Sequence, residues 1–299
     1  VKVVEVSPRD GFQNVPAFIS TTNKIAIIEG LIASGITSIE LTSFVSPKAI
    51  PQLADAREVC QTILDRHGDK IEASVLVPNL KGAQLAQAAG IEEVVWVISV
   101  SETHNKANVN RTHDQSLADL AKMREAMPKL KVGVDLATAF ACPFAGWVEP
   151  EAVAALAGKI IDLGIDKLVL CDTIGVATPD RVYRLATFMQ NSFPDIDFSL
   201  HLHDTRGMGL VNTLAGLLAG ITVFETSIGG LGGCPFAPGA AGNTSTEDLV
   251  NMLQGMHINT GIDLDKLLEV VNLVQEKVAA PLSSHMIKAK LYECLNYPV

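Results

Sequence analysis

Gly164-Ile165-Asp166-Lys167-Leu168-Val169-Leu170-Cys171-Asp172 is one complete sentence of this chain's grammar. A helical pattern over Pro150–Leu163 runs into Gly164, the place for a left-handed C-terminal stop. The unbroken apolar run Lys167–Cys171 reads as a strand covered on both faces. The next helix opens at Pro179, where the missing N–H costs nothing. The pattern extends both ways. Further strands are expected at Lys2–Val6, Ser38–Thr42, Glu72–Val77, Glu93–Val100, Lys131–Thr138, Asp197–His203 and Thr222–Ile228. Further helices are expected at Thr22–Ala33, Pro51–Arg66, Leu80–Ala89, Thr112–Met127, Pro179–Asn191, Gly209–Ala219 and Ser245–Gly255. Gly35, Gly90 and Gly220 repeat the stop of Gly164, and Pro51 and Pro150 repeat the start of Pro179. Eight βα units in about 255 residues are the arithmetic of an α/β TIM barrel, a (β/α)8 fold; a doubly wound open sheet rarely needs eight such even units. One domain over 1–299 is expected, with the barrel at about 1–256 and one or two extra C-terminal helices at about 263–296. The apolar spacing of Leu267, Leu268, Val270, Val271, Leu273 and Val274 suits packing on the barrel or on a second subunit, so a homodimer is the expected assembly.

With 48% hydrophobic and 19% charged residues, the 299-residue chain can bury a large core. No apolar run reaches the ~18 residues of a membrane span, and no charged-then-apolar leader precedes the strand-like Val1–Val6. The chain opens on Val1 rather than Met, as a trimmed or processed chain would. A net charge of −10 without any Lys/Arg-dense stretch excludes nucleic acid and membrane surfaces as expected partners. The five cysteines, Cys60, Cys142, Cys171, Cys234 and Cys294, are scattered and odd in number, which suits a reducing cytoplasm rather than a disulfide framework.

His201-Leu202-His203 ends one of the apolar strands. Residues i and i+2 of a strand share a face, so both imidazoles aim at one point, and imidazole is the commonest metal-ligating side chain. Chemistry in a parallel barrel gathers at the C-terminal ends of the strands. By this register Glu40, Asp172, His201 and His203 lie at one rim, with Asp10 one loop away. Charges in apolar strands are expensive unless paired or metal-bound. A carboxylate with two imidazoles suggests a divalent cation with mixed N/O ligands. The blander alternatives are structural histidines, a helix cap near Thr178 for Asp172, and a surface turn with a weak ion pair for Arg9–Asp10. The six glycines between Gly229 and Gly242 form either a phosphate cradle or a mobile lid carrying Cys234.

Several of these stretches together resemble the 3-hydroxy-3-methylglutaryl-CoA lyase family. They are Arg9-Asp10-Gly11…Gln13-Asn14, Thr42-Ser43-Phe44-Val45-Ser46-Pro47-Lys48, Pro78-Asn79-Leu80-Lys81-Gly82, Asp172-Thr173-Ile174-Gly175-Val176, His201-x-His203-Asp204-Thr205 and Gly230-Leu231-Gly232-Gly233-Cys234-Pro235. The resemblance runs from Val4 to about Leu267. It implies a TIM-barrel metallolyase that splits a 3-hydroxyacyl-CoA into acetyl-CoA and a keto acid, acetoacetate for 3-hydroxy-3-methylglutaryl-CoA. It further implies that Asp10, His201, His203 and Asn243 hold Mg²⁺ or Mn²⁺, and that Arg9 stabilises the enolate oxygen. Cys234 would transfer a proton near the enolate carbon. Glu40 and Asp172 would be acid/base or orienting carboxylates, and Glu247 would support the site from behind. Gln13, Ser43, Lys48, Asn79 and Arg206, with Lys81, are the expected substrate or coenzyme A contacts.

Three stretches depart from the family. Asp204-Thr205-Arg206-Gly207-Met208 stands where the lyases usually read Asp-Thr-Tyr-Gly-Gln, Ile98-Ser99-Val100 where small residues are usual, and Ala139-Phe140-Ala141-Cys142-Pro143 where a Ser-Cys-x-x-Gly-Cys-Pro pattern is common. These changes leave the bond-breaking residues in place and bear on the acyl group, with Arg206 expected near the acyl pocket and citramalyl-CoA as the alternative substrate. A 2-oxo acid condensing enzyme is a weaker reading, since such enzymes usually carry a long regulatory region after the barrel. A non-catalytic acyl-CoA-binding barrel is disfavoured by Arg9, Glu40, Asp172 and Cys234 occurring together.

Overall fold

A computed structural model describes residues 1–233 and 242–289 of the chain. Eight parallel strands close into a barrel: β1 (Lys2–Glu5), β2 (Ser38–Ser43), β3 (Glu72–Leu76), β4 (Glu93–Ser99), β5 (Lys131–Ala137), β8 (Lys167–Asp172), β9 (Asp197–Leu202) and β10 (Val223–Thr226). The short strands β6 (Ala141–Cys142) and β7 (Gly146–Trp147) pair as a hairpin inside the connection after β5. Each barrel strand lies beside its neighbour in chain order, and β1 pairs with β10 and β2 to close the ring. This is the TIM barrel expected from the βα repeat.

The outer layer is α1 (Thr21–Ala33), α2 (Ala56–His67), α3 (Leu80–Ala88), α4 (Glu102–Val109), α5 (His113–Ala126), α6 (Pro150–Ile161), α7 (Pro179–Ser192), α8 (Gly209–Leu218) and α9 (Thr246–Gly255). Gly35, Gly90, Gly164 and Gly220 all have positive φ, so the expected left-handed stops are real. Pro150 and Pro179 open their helices, but Pro51 opens a separate 3₁₀ turn, Pro51–Leu53, ahead of α2. Helix α4 escaped the sequence reading because Glu-Thr-His-Asn-Lys-Ala-Asn-Val has no apolar period. It forms because Ser101 caps it, accepting from the His104 N–H, and it ends on Asn110 in the left-handed region.

Beyond the barrel, α10 (Leu264–Lys277) buries Leu267, Val270, Val271 and Val274. Its partner is α1: a Cβ at Gly30 would lie 2.9 Å from Val270 Cγ2, so the helices meet backbone to side chain. The apolar face that could have met a second subunit is thus covered by the chain's own barrel. A second C-terminal helix does not form in the described part of 263–296, where the residues after α10 are irregular, with one turn. No helix among the described residues is long and apolar enough to cross a membrane.

Candidate active site and metal pocket

The chain leaves β1 in a tight turn of π-helical form, Ser7–Gly11, in which the N–H groups of Arg9, Asp10 and Gly11 all point to the Val6 carbonyl at 3.1, 2.7 and 3.4 Å. Arg9 and Asp10 are buried, 6% and 7% exposed, which removes the surface-turn alternative. Gly11 is required by crowding: an added Cβ would lie 2.9 Å from Ser227 Oγ and 3.1 Å from Leu231 Cβ. The turn sets the Asp10 carboxylate beside the His201 and His203 imidazoles. Its Oδ1 accepts from Arg9 Nη1 (2.6 Å) and Gln13 Nε2 (2.8 Å), and its Oδ2 from Asn243 Nδ2 (2.7 Å). Burial works to raise the Asp10 pKa, but the charges of Arg9 and of the two histidines outweigh it and hold the carboxyl below its ordinary value.

Strand β9 supplies His201, and His203 follows it, its backbone bridged to Asn243. The two Nε2 atoms face each other at 3.1 Å. His201 Nδ1 is held at 2.9 Å by Glu225 Oε2 of β10, its register partner. Burial opposes charge on His201, but the Glu225 carboxylate prevails and pushes it up to about 9. Burial and the neighbouring His201 charge pull His203 down to about 4.

Asp10, His201 and His203 bring one ligand atom each within 4.8 Å of one another, all buried. The donor set fits a divalent cation on three further observations. Cis ligands of an octahedral ion with bonds of about 2.1 Å stand about 3 Å apart, as the two imidazole nitrogens do. Asn243 spends its Nδ2 on Asp10 and on the Leu231 carbonyl (2.9 Å), leaving its Oδ1 buried without a hydrogen-bond partner. Glu225 on His201 is the carboxylate–imidazole arrangement that orients metal-binding histidines.

Beside this pocket Arg9 is the hub of an acidic cluster. Its Nε donates to Glu40 Oε2 at 2.6 Å, and its Nη2 lies 3.9 Å from Asp135 Oδ2 of β5. Strand β2 has a register shift between Glu40 and Thr42, and Glu40 is buried. Burial lifts Glu40 to about 7 against the pull of Arg9, and its Oε1 has no hydrogen-bond partner. Burial and the charges of Glu225 and Glu40 raise Asp135 well above the ordinary carboxyl range.

Residues 1–274 match the HMGL-like family model. The chain belongs to the HMGL-like family. It is 42% identical to hydroxymethylglutaryl-CoA lyase YngG of Bacillus subtilis, over 96% of each chain. It is 41% identical to the mitochondrial hydroxymethylglutaryl-CoA lyase of Homo sapiens, over 97% of this chain and 89% of that protein. It is 38% identical to the (R)-citramalyl-CoA lyase of Chloroflexus aurantiacus, over 97% and 94%. Among solved structures, the HMG-CoA lyase of Bacillus subtilis superposes with a TM-score of 0.92 at 43% identity, covering 96% of both chains. An HMG-CoA lyase of Acinetobacter baumannii in complex with coenzyme A and 3-methylmalate superposes at 0.93 and 42%, covering 100% of this chain and 97% of that one. The protein is accordingly a carbon–carbon lyase.

The remaining residues expected in this HMGL-like lyase divide sharply. Asp172 is buried at the rim, but its two carboxylate oxygens accept from the Val176 (3.1 Å) and Ala177 (3.0 Å) N–H groups of the loop that follows it; it does not cap α7, whose N-cap is Thr178, and burial lifts it to about 6. Asn79 caps α3, its Oδ1 accepting from the Gly82 N–H at 3.0 Å. Ser43 is buried with its hydroxyl unpaired. Lys48, Lys81 and Arg206 are exposed, Arg206 on the turn Asp204–Gly207 directly after the second histidine. Glu247 holds the Gly229 N–H at 3.0 Å, at the root of the glycine loop. Asn14 Nδ2 donates to the Gly233 carbonyl at 2.6 Å. Cys234 and Cys294 lie outside the described residues. Sequence reasoning missed Asp135 and Glu225, although both satisfy the criterion that found Glu40: a carboxylate inside an apolar strand.

Proposed function

We propose that this lyase cleaves (S)-3-hydroxy-3-methylglutaryl-CoA to acetyl-CoA and acetoacetate with Mg²⁺ or Mn²⁺ held by Asp10, His201, His203 and Asn243. The observation that carries the reading is the convergence of one carboxylate, two imidazoles and an unpaired amide oxygen in one buried pocket beside Arg9. A divalent ion there supplies Lewis acidity that lowers the pKa of the substrate's C3 hydroxyl. Glu40, pushed up to about 7 with Oε1 uncommitted, is suited to take that proton. The electron pair of the breaking C2–C3 bond moves to C2 and onto the thioester oxygen, where the Arg9 guanidinium, oriented by Glu40 and Asp10, stabilises the enolate. Cys234 returns a proton to C2. Asp172 acts as an orienting carboxylate rather than a base, since its oxygens are taken by backbone N–H groups. Gln13 and Ser43 line the acyl end, and Lys48, Asn79 and Arg206 meet the substrate at the rim.

Citramalyl-CoA is the second reading, favoured by the 38%-identical citramalyl-CoA lyase and by Arg206 at the mouth. It would break the same kind of bond and release acetyl-CoA with pyruvate. The whole chain, 1–299, serves as one catalytic domain, and the cysteines among the described residues, Cys60, Cys142 and Cys171, are free, which suits a reducing compartment such as the cytoplasm. Product identification by mass spectrometry over a panel of 3-hydroxyacyl-CoAs, with and without chelator, tests the reading. Acetyl-CoA and acetoacetate from the hydroxymethylglutaryl thioester, abolished by chelator, is the expected result. Turnover that ignores chelator, or no acetyl-CoA from any member, would remove it. Arg206→Tyr should shift the ratio of kcat/KM between the two thioesters; an unchanged ratio takes Arg206 out of substrate selection.

A further inference from the structure

We propose that Leu282–Met286, outside the barrel, is a strap that sets the metal affinity of the pocket by holding the glycine turn against which Asn243 is oriented. The proposal rests on the metal reading above. The turn is Gly229–Gly230, two successive residues in the left-handed region at φ 66 and 65. The Gly229 residue is gripped from two sides: its N–H donates to Glu247 at 3.0 and 3.1 Å, and its carbonyl accepts from the Ser283 N–H at 2.9 Å. A Cβ at Gly229 would lie 2.8 Å from Leu282 Cδ2, and one at Gly230 would lie 2.2 Å from Ser283 Oγ. The strap is seated in the space of two absent side chains.

The turn leads straight into the pocket. Leu231, the next residue, receives the Asn243 Nδ2 hydrogen at 2.9 Å. An amide's two ends are fixed relative to each other, so the carbonyl that holds Nδ2 also sets where the unpaired Oδ1 points. The strap in turn is fastened by Asp248 of α9. Its carboxylate, 6% exposed, accepts from the backbone N–H groups of His285 and Met286, both at 2.8 Å, from Ser284 Oγ at 3.2 Å and faces His285 Nδ1 at 3.1 Å. Asp248, Asn243 and the strap therefore form one mechanical chain from the surface to a candidate ligand oxygen. Asp248 and Leu282 are positioning residues, since neither meets the pocket itself.

Leu282→Ala removes the packing on Gly229, and Asp248→Asn removes half of the acceptors that fasten the strap. The Mn²⁺ dissociation constant, read by calorimetry and by the electron paramagnetic resonance of bound Mn²⁺, should rise about tenfold in either variant. Unfolding curves identify which variants remain folded, and each variant suffices alone. Folded variants that bind Mn²⁺ as tightly as the parent overturn the strap and leave the metal reading standing. A parent protein that binds no Mn²⁺ overturns both.

Discussion

Asn243 entered only through the family resemblance, whereas two histidines in strand alternation and an aspartate one loop away were legible together because they stand at or beside the exit of a barrel strand. What those side chains touch was not. Asn79 and Asp172 carry family motifs, yet their oxygens are engaged in local backbone contacts that depend on loop conformation. Glu225 and Asp135 sit mid-strand and were passed over in favour of residues nearer the rim. Glu5 is a third buried carboxylate with a consequence at this scale. It accepts from the Ser7 and Ile228 N–H groups and from Thr246 Oγ1 at 2.9, 3.0 and 2.6 Å, and burial still lifts it from 4.5 to about 7. A carboxyl raised in the fold binds its proton more tightly there than in the unfolded chain. Its stabilising contribution is therefore whole below about pH 4.5 and declines as pH rises towards 7, levelling off above. Glu5→Gln lacks this titration. Urea unfolding of both proteins at pH 5.5 and 8.5 should show the stability difference moving by about 2 kcal/mol in favour of Glu5→Gln at the higher pH. A difference that stays constant with pH would contradict it.

At the scale of elements, glycine and proline punctuation located nearly every barrel strand and helix, since those residues act through their own backbone. Two kinds of element were hidden. Helix α4 is held by a cap and has no apolar period to read. The turn Ser7–Gly11 is a backbone form with no sequence signature, and its last residue has no room for a side chain beside Ser227 and Leu231. Within the glycine corner, Gly232 lies directly against the candidate ligands. Its φ of +119 suits glycine alone, and a Cβ there would lie 2.5 Å from Asn243 Nδ2 and 3.1 Å from Asp10 Oδ2. Gly232→Ala should keep the barrel, as judged by far-ultraviolet circular dichroism, and lower kcat/KM by about 10- to 100-fold through displaced ligands. Parental kcat/KM in that variant would show that the corner does not touch the working geometry.

For the whole molecule, eight parallel strands bring residues from positions 10, 40, 135, 201, 203, 225 and 243 together; strand register announced Asp10, Glu40, His201 and His203, but not the contacts that Asp135 and Glu225 make with them. The closed ring was nonetheless readable, because the βα period repeats eight times and each unit is right for a strand buried on both faces. The C-terminal extension shows the limit of periodicity. The spacing of Leu267 to Val274 fixed a helix with an apolar face but not what covers it; α1 does, through the gap left by Gly30. The same architecture gathers Asp10, Glu40 and Asp135 around the buried Arg9 guanidinium and sets Glu225 on His201, an excess of acids that a divalent ion would offset. The most direct test is anomalous diffraction at the manganese edge from crystals grown with Mn²⁺. One peak within bonding distance of Asp10, His201, His203 and the Asn243 amide oxygen is expected. A peak elsewhere, or none at saturating Mn²⁺, would contradict the pocket on which the lyase mechanism is built.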